Sequence, residues 1–223
     1  GCSAVSFGGT AGTGIVVDSS TQVRCASSAK SAGTYSVTAT TANGTSNGVN
    51  YTYTQGTPSY TATLAGPADA YVASSSSNSN FGTTANLFTQ KTSAAERASY
   101  MKWDLNSVQG STITSAKLRL YQSSTVACTN KVYSCATDTW IESGTGSITW
   151  ANRPTMGTQQ ASFSVLASAG WREVDVTSYV NANFNGDKLV TMILCDDATQ
   201  NVQVLFNSDE NASNKPQLVV ISQ

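Results

Sequence analysis

Aromatic and cationic side chains recur at every second position in two segments of this sequence. Tyr100 and Lys102 lie in the first segment, and Lys117, Arg119 and Tyr121 lie in the second. Aromatic rings stack on the C–H faces of sugars, and an arginine guanidinium donates paired hydrogen bonds to a carboxylate or sulfate. If the two segments are neighbouring strands of one sheet, these side chains share a face suited to an anionic glycan.

Two further residues are candidates for the same binding role. Arg153 lies in the turn ITWANRP, and loop residues often carry binding functions. Trp171 opens a strand after a Gly, which makes it the tryptophan most favoured for exposure. A solvated outer face that serves solubility is the alternative interpretation of the Lys and Arg positions. The predicted ligand-binding residues are Tyr100, Lys102, Lys117, Arg119, Tyr121, Arg153 and Trp171.

The ionisable residues predict a protein that is not an enzyme. The chain has no His, so neither a Ser-His-Asp nor a Cys-His arrangement can form. Glycoside hydrolysis needs two carboxylates that face one cleft, but most of the candidate acids lie singly on turns and strand ends. These single acids are Asp69, Glu96, Asp104, Asp138, Glu142 and Asp187. Lyase chemistry on uronic acids needs no His, and it stays open for Tyr100, Lys102 and Arg119.

No cofactor is predicted, but two acidic pairs leave a structural calcium ion open. These pairs are Asp196–Asp197 and Asp209–Glu210. Calcium is a hard cation that takes several oxygen ligands, including main-chain carbonyls. The chain contains no calcium-binding loop motif, and hydrated acids on turns are the simpler interpretation.

Five cysteines predict an oxidising, extracellular setting. An odd number allows two disulfides and one thiol, and no Cys-x-x-Cys pair suggests a zinc site. We expect the disulfides Cys2–Cys25 and Cys128–Cys135, which leaves Cys195 over. Pairing of Cys195 with Cys128 or with Cys135 stays open, since spacing alone does not determine connectivity.

Composition and charge exclude several classes of partner. The net charge is −1 and no basic stripe is present, so nucleic acid is not an expected partner. No apolar run approaches the ~20 residues that a membrane-spanning helix needs. Charged residues are only 11% of the chain, and Ser, Thr, Asn and Gly dominate its polar positions. Such a composition favours β-structure with many turns.

Period-two alternation predicts an all-β fold. Met101, Trp103 and Leu105 point to one face of their strand, while LVTMIL at 189–194 is apolar on both faces and must be covered twice. One short helix is expected at 176–184, with Asp175 or Thr177 as its N-cap.

The chain is predicted to contain two domains. Residues 1–54 read as short strands joined by turns, residues 55–59 form a linker stiffened by Pro58, and residues 60–223 form the main domain. We expect two β-sandwiches: a partial immunoglobulin-like domain followed by a larger, jelly-roll-like sandwich.

The second domain resembles a known family. Its marks are PADAYVASSSSNSNFG at 67–82, ERASYMKWDL at 96–105, SAKLRLY at 115–121, WREVDVTSYV at 171–180 and NSDENASNKPQLVV at 207–220. These segments resemble the DNRLRE-type β-sandwich domains of secreted bacterial polysaccharide-degrading enzymes and surface proteins. Members attached to alginate-degrading enzymes bind that acidic polysaccharide. The resemblance implies a secreted, non-catalytic module that tethers an enzyme or a cell surface to an acidic glycan.

The first domain resembles the second half of an IPT/TIG immunoglobulin-like domain, because of VSFGGT, AGTYSVTATTANGTS and VNYTYT. Such domains usually begin with two more strands, so this one would expose a sheet edge and an apolar groove. We expect either that the chain is clipped from a longer one or that a neighbouring molecule supplies the missing strand. An alternative function follows: a structural subunit of an extracellular filament or adhesin, whose copies polymerise by strand complementation. YTATLA at 60–65 is the spare strand expected to insert into a neighbouring copy.

Overall fold

The computed structural model describes residues 1–196 and 201–223. Segments with alternating apolar and polar residues form β-strands in both halves of the chain. The all-β prediction is confirmed. The chain divides into two compact units, Gly1–Thr57 and Pro58–Gln223. No helix among the described residues is long and apolar enough to cross a membrane.

The first unit contains two small sheets. In the larger sheet the strand order is β2-β1-β5-β6, and β7 also pairs with β5; the smaller sheet contains β3 and β4. Val5 and Phe7 are its fully buried apolar side chains. The strands are β1 (Cys2–Phe7), β2 (Thr10–Ala11), β3 (Thr13–Val17), β4 (Val23–Ala26), β5 (Gly33–Thr41), β6 (Gly44–Thr45) and β7 (Val49–Tyr53).

The second unit is a two-layered sandwich. The first layer contains β14, β13, β16, β11 and β9, and the second contains β15, β12, β18 and β8; the paired strands β10 and β17 connect the two layers. The elements are β8 (Tyr60–Ala65), β9 (Ala68–Ala73), a 3-10 turn (Ser74–Ser76), β10 (Asn86–Lys91), β11 (Glu96–Asp104), β12 (Ile113–Gln122), β13 (Cys128–Cys135), β14 (Met156–Val165), β15 (Gly170–Asp175), α1 (Thr177–Phe184), β16 (Leu189–Cys195), β17 (Gln203–Asn207) and β18 (Gln217–Ser222).

The main core lies between the two layers. Met101 and Trp103 of β11 and Leu105, which directly follows that strand, are buried there with Leu118 and Leu120 of β12, as their alternation predicts. Helix α1 contacts a strand of each layer. The predicted helix is confirmed, although its N-cap is Val176 rather than a polar residue. The carboxylate of Asp175 nevertheless accepts a hydrogen bond from the Thr177 N–H at 2.9 Å.

A second, smaller apolar cluster covers the outer face of the first layer. Ala98, Tyr100 and Ile193 of the sheet are buried there beneath Trp140 and Ile148 of the long segment between β13 and β14. Strand β16 is therefore covered on both faces, as its continuous apolar run predicts. The same covering segment gives the first layer no open outer face at this place.

Neither predicted disulfide forms. Cys128 and Cys135 are the two ends of β13, so their Cα atoms are about 23 Å apart, far beyond the roughly 7 Å that a disulfide spans. Cys195 is in register with Lys131 of the same strand, about 10–13 Å from either cysteine, which also excludes the two alternatives. Cys2 donates to the Ala4 carbonyl at 3.2 Å and is not bonded to Cys25.

The segment YTATLA is not a spare strand. It forms β8, which pairs with β18 along its whole length, from Tyr60 opposite Ser222 to Ala65 opposite Gln217. Ala62 and Leu64 pack against the main core. Because β8 completes the second layer of its own domain, the prediction that it is free to leave for a neighbour is wrong.

Candidate functional site

The outer face of the second layer brings four of the predicted binding residues together. In the antiparallel register of β12 and β15, Tyr121 lies opposite Trp171, Arg119 opposite Glu173, and Lys117 opposite Asp175. Directly opposite residues of antiparallel strands project from the same face. We call Lys117, Arg119, Tyr121, Trp171, Glu173 and Gln217 the outer face.

Arg119 is the centre of this outer face. Its Nε donates to Glu173 Oε1 at 2.6 Å and its Nη1 donates to Gln217 Oε1 at 2.7 Å. The same guanidinium carbon lies 4.8 Å from the centroid of the Trp171 ring, within cation–π range. Three neighbours on two adjacent strands therefore fix the orientation of the arginine.

The two aromatic rings of the outer face contact each other at an angle. The ring centroids of Tyr121 and Trp171 are 5.6 Å apart, with an interplanar angle of 82°. Both side chains are partly exposed. Because the two rings meet edge to face, they do not cover each other as stacked rings would, and the partly exposed ring surface can contact a sugar.

A buried glutamine anchors the strand ends behind these rings. Gln122 Nε2 donates to the carbonyls of Ser124, Val126 and Leu166, at 2.9, 3.1 and 2.7 Å. Its Oε1 accepts from Arg172 Nε at 2.8 Å. Gln122 directly follows Tyr121, and Arg172 directly follows Trp171. The aromatic pair thus rests on a rigid hydrogen-bond network.

Tyr100 and Lys102 do not belong to the outer face, so the prediction of one five-residue face is wrong. Their strand, β11, is separated from β12 by β10 and β17 and lies in the other layer. Tyr100 is 1% exposed and its hydroxyl donates to the Pro154 carbonyl. Lys102 Nζ donates to the carbonyls of Asp138 and Trp140, at 2.9 and 2.7 Å. Both side chains hold the covering segment in place.

Arg153 lies in a separate cleft of about 380 Å³ beside the first layer. Its guanidinium carbon is 3.5 Å from the Trp150 ring centroid, and its Nη1 donates to the Trp150 carbonyl. Glu96 and Pro154 complete the walls. The structure therefore does not bring Arg153 to the outer face.

The open lyase arrangement does not assemble. Arg119 projects from the second layer, whereas Tyr100 and Lys102 belong to the first and donate to main-chain carbonyls. Burial raises the pKa of Tyr100 above its ordinary value. A phenol in this state is a poor base at neutral pH.

An acidic cluster in the second unit was only half predicted. One carboxylate oxygen from each of Asp69, Glu142, Asp209 and Glu210 lies within 4.8 Å of the others. The sequence pointed to Asp209 and Glu210, but Asp69 and Glu142 are 140 and 67 positions away from Asp209 along the chain. The sequence signal for Asp69 was an acid inside the apolar run ADAYVA, whereas Glu142 had no such signal. Of the other predicted pair, Asp196 is buried and Asp197 lies outside the described residues.

Two comparisons with known proteins give matches. A family model described as carbohydrate-binding module family 96 matches residues 60–222. A solved structure described as "Structural basis for the promiscuous specificity of the carbohydrate-binding modules from the beta-sandwich super family" is 12% identical, covering 100% of this chain and 83% of that one, with a TM-score of 0.23. A similarity this low says nothing about the ligand.

A search of curated proteins gives no match. The narrower resemblances, to DNRLRE-type and IPT/TIG domains, stay predictions. The family model, in contrast, matches most of the chain, from the first residue of β8 to the last residue of β18. This protein therefore belongs to carbohydrate-binding module family 96.

Proposed function

We propose that the outer face binds a polysaccharide chain without cleaving it. The observation that carries this proposal is the partly exposed pair of Tyr121 and Trp171 beside the fixed Arg119. A sugar ring stacks on the indole, and Arg119, Glu173 and Gln217 exchange hydrogen bonds with its hydroxyl groups. The groups are pre-oriented, so little conformational entropy is lost on binding.

The proposed setting is outside the cell, where the module tethers an attached enzyme or a cell surface to its substrate. Membership of a carbohydrate-binding family supports this role. The open, flat geometry of a sheet face suits a long polymer, which a closed pocket would exclude.

The finer proposal is that the polysaccharide is acidic. Lys117 supports it, because this exposed ammonium lies on the same face, two residues from Arg119. Asp175, directly opposite Lys117, offsets part of this charge. Arg119 itself contributes little free charge, since Glu173 neutralises it at 2.6 Å. Charge attraction through Lys117 is screened by salt, so we expect only a moderate loss of affinity at high ionic strength.

The test is affinity electrophoresis and calorimetry with alginate and a neutral glucan. Trp171→Ala should lower affinity for the bound glycan about tenfold, or ~1.4 kcal/mol, because the stacking surface is removed. Lys117→Ala should weaken the binding of alginate and leave the binding of the neutral glucan unchanged.

Tyr60→Ala is the matched control, since this exposed tyrosine lies on β8 and outside the outer face. If the wild-type protein binds a glycan and Trp171→Ala binds it with the same affinity, the binding site lies elsewhere. Release of reducing or unsaturated ends from either polymer would contradict the non-catalytic role.

A second candidate function is a subunit of an extracellular filament, and an open groove in the first unit favours it. The groove is about 570 Å³ in volume and is lined by Val5, Phe7, Val23, Val37 and Val49. Val49 is 71% exposed. An apolar groove beside unpaired strand edges can accept a strand from another copy.

Because β8 is already paired, the donor strand is not YTATLA. Electron microscopy of concentrated protein separates the two functions: regular fibres support the subunit, and dispersed particles support the binding module alone. Val49→Lys should abolish fibres and leave glycan affinity unchanged.

A further inference from the structure

The acidic cluster joins three segments that are distant in sequence. Asp69 is the second residue of β9, Glu142 lies in the segment that covers the first layer, and Asp209 and Glu210 form the turn after β17. Four carboxylates within 4.8 Å of one another repel strongly unless a cation or protons lie among them.

Two residues of this cluster have buried oxygen atoms without partners. Asp69 is only 1% exposed. Its Oδ2 accepts from the Asp209 N–H at 2.9 Å, yet among the described residues its Oδ1 has no hydrogen-bond donor. Asp209 Oδ1 is likewise buried and without a partner in this part of the chain. Buried carboxylate oxygens normally have donors or coordinate a metal ion.

The scaffold around the cluster is built to hold Glu142 in place. Glu142 Oε1 accepts from the Asp69 N–H at 2.6 Å, and the Glu142 carbonyl accepts from Asn80 Nδ2 at 2.7 Å. A Cβ on Gly82 would lie 2.0 Å from that carbonyl oxygen, so only glycine allows this approach. The position of the carboxylate is thus set from both its main chain and its side chain.

Within residues 1–196 and 201–223, no basic side chain pairs with the cluster. Among the described residues, none of the four acids forms an ion pair within 4.0 Å. The charge of Lys102 acts on Glu142, but the Lys102 ammonium donates hydrogen bonds to two main-chain carbonyls. Burial and the charge of Asp209 raise the pKa of Asp69 to about 9. Burial also raises the pKa of Glu142 and of Glu210.

We propose that Asp69, Glu142, Asp209 and Glu210 bind a calcium ion. All four ligand atoms are carboxylate oxygens, which suit a hard cation. Zinc is disfavoured, because it prefers nitrogen and sulfur ligands and the cluster has neither. Calcium accepts six to eight oxygen ligands in flexible geometry, so waters or carbonyls complete the shell. The ion ties β9, the covering segment and the turn after β17 together. This role is structural and independent of the outer face.

The experiment compares the full chain in EDTA with the same chain in CaCl2 or MgCl2 at equal ionic strength. We expect calcium to raise the unfolding temperature by several degrees and to bind with a 1:1 stoichiometry in calorimetry, since it binds only the folded state. Terbium should give luminescence sensitised by Trp140, two residues from Glu142. Magnesium should have a much smaller effect, because it demands compact octahedral geometry.

Asp69→Asn and Glu142→Gln should each lower calcium affinity at least about tenfold, because each removes a charged ligand. Asp187→Asn is the matched control, an exposed acid that lies outside the cluster. Asp69→Asn relieves repulsion in the metal-free protein, so this variant is expected to fold. Absence of both binding heat and a calcium-specific thermal shift in the wild-type chain overturns the proposal. Loss of glycan binding alone does not affect it.

Discussion

The contacts of Arg119 fix the orientation of its guanidinium more than they stabilise the fold. The side chains of Arg119 and Glu173 are 31% and 45% exposed, and ion pairs in such settings contribute little to stability. Their value is geometric: the pair fixes a planar donor group beside the Trp171 ring. A glycan that meets this face finds its hydrogen-bond partners already in position.

Asp69 makes a prediction about pH in the metal-free protein. Its folded pKa of about 9 lies far above the usual value of 3.8, so between about pH 4 and pH 9 the folded state binds more protons than the unfolded state. The free energy of unfolding therefore decreases as pH rises through this window. Urea unfolding at pH 5, 7 and 9 in chelator-treated buffer should show the decrease, and Asp69→Asn should reduce it.

Asp175 is a control, because its pKa is shifted in the opposite direction from that of Asp69. Hydrogen bonds from Thr177 lower its pKa, so its contribution to stability is present above its ordinary pKa and is lost as pH falls through the folded value. Asp175→Asn should leave the decrease between pH 5 and pH 9 intact. A variant Asp69→Asn with the wild-type pH dependence would contradict our assignment of that decrease.

Single residues show what the sequence could predict about the site. Trp171 was identified because a strand-opening tryptophan after Gly170 is a local feature. Tyr100 points away from the main core, as its position in the alternating pattern predicts. Trp140, 40 positions later in the covering segment, nevertheless buries it. Local alternation tells which way a side chain points and cannot tell what comes to cover it.

At the level of elements, the segment between β13 and β14 acts as a lid on the first layer. Lys102 donates to two of its carbonyls, and Asn80 donates to two more, at Glu142 and Ile148. These bonds satisfy main-chain acceptors that would otherwise be buried without partners. A basic side chain that looks like a ligand contact can therefore be part of the scaffold.

Gly82 tests how tightly this segment packs. Gly82→Ala places a methyl group against the Glu142 carbonyl, so we expect a loss of about 1–3 kcal/mol in the free energy of unfolding from overpacking. Urea denaturation with an unchanged m-value measures this loss.

Gly56→Ala is the matched control, because a Cβ at that position contacts nothing within 4 Å. Equal stability of the two variants would mean that the segment moves aside freely. In that case the position of Glu142 would not be fixed by its main chain.

Strand pairing limited the sequence-based prediction of the site. The alternation in β11 and β12 gave the correct inward residues, Met101 and Leu118 among them. It could not reveal that β10 and β17 lie between these strands, because that order depends on contacts far apart in sequence. The four acids of the calcium site were separated in the same way, on three segments that meet only in the fold.

At the scale of the whole molecule, the two units differ greatly in their cores. Val5 and Phe7 are the fully buried apolar side chains of Gly1–Thr57, whereas the second unit contains an extensive core. A unit with so little buried apolar surface is marginal when alone. We therefore expect a fragment of residues 58–223 to keep the unfolding temperature and the glycan affinity of the full chain.

Circular dichroism and affinity electrophoresis check this expectation. A fragment of residues 1–57 should be mostly unfolded at 25 °C unless a partner strand fills its groove. If instead the larger fragment unfolds or loses glycan binding, its fold depends on the first unit.

The pairing of β8 with β18 determines how the second domain responds to tension. Because the strands are antiparallel and adjacent, the start of β8 and the end of β18 emerge side by side, where Tyr60 lies opposite Ser222. A force applied through these two points loads the Tyr60–Ser222 pair first and then each following pair in turn, like a zipper. Strand pairs that open one at a time yield at a far lower force than pairs that are sheared together. Asp69 lies in β9, the next strand of the chain after β8. The calcium ion bound there would therefore be the first strong obstacle to further opening.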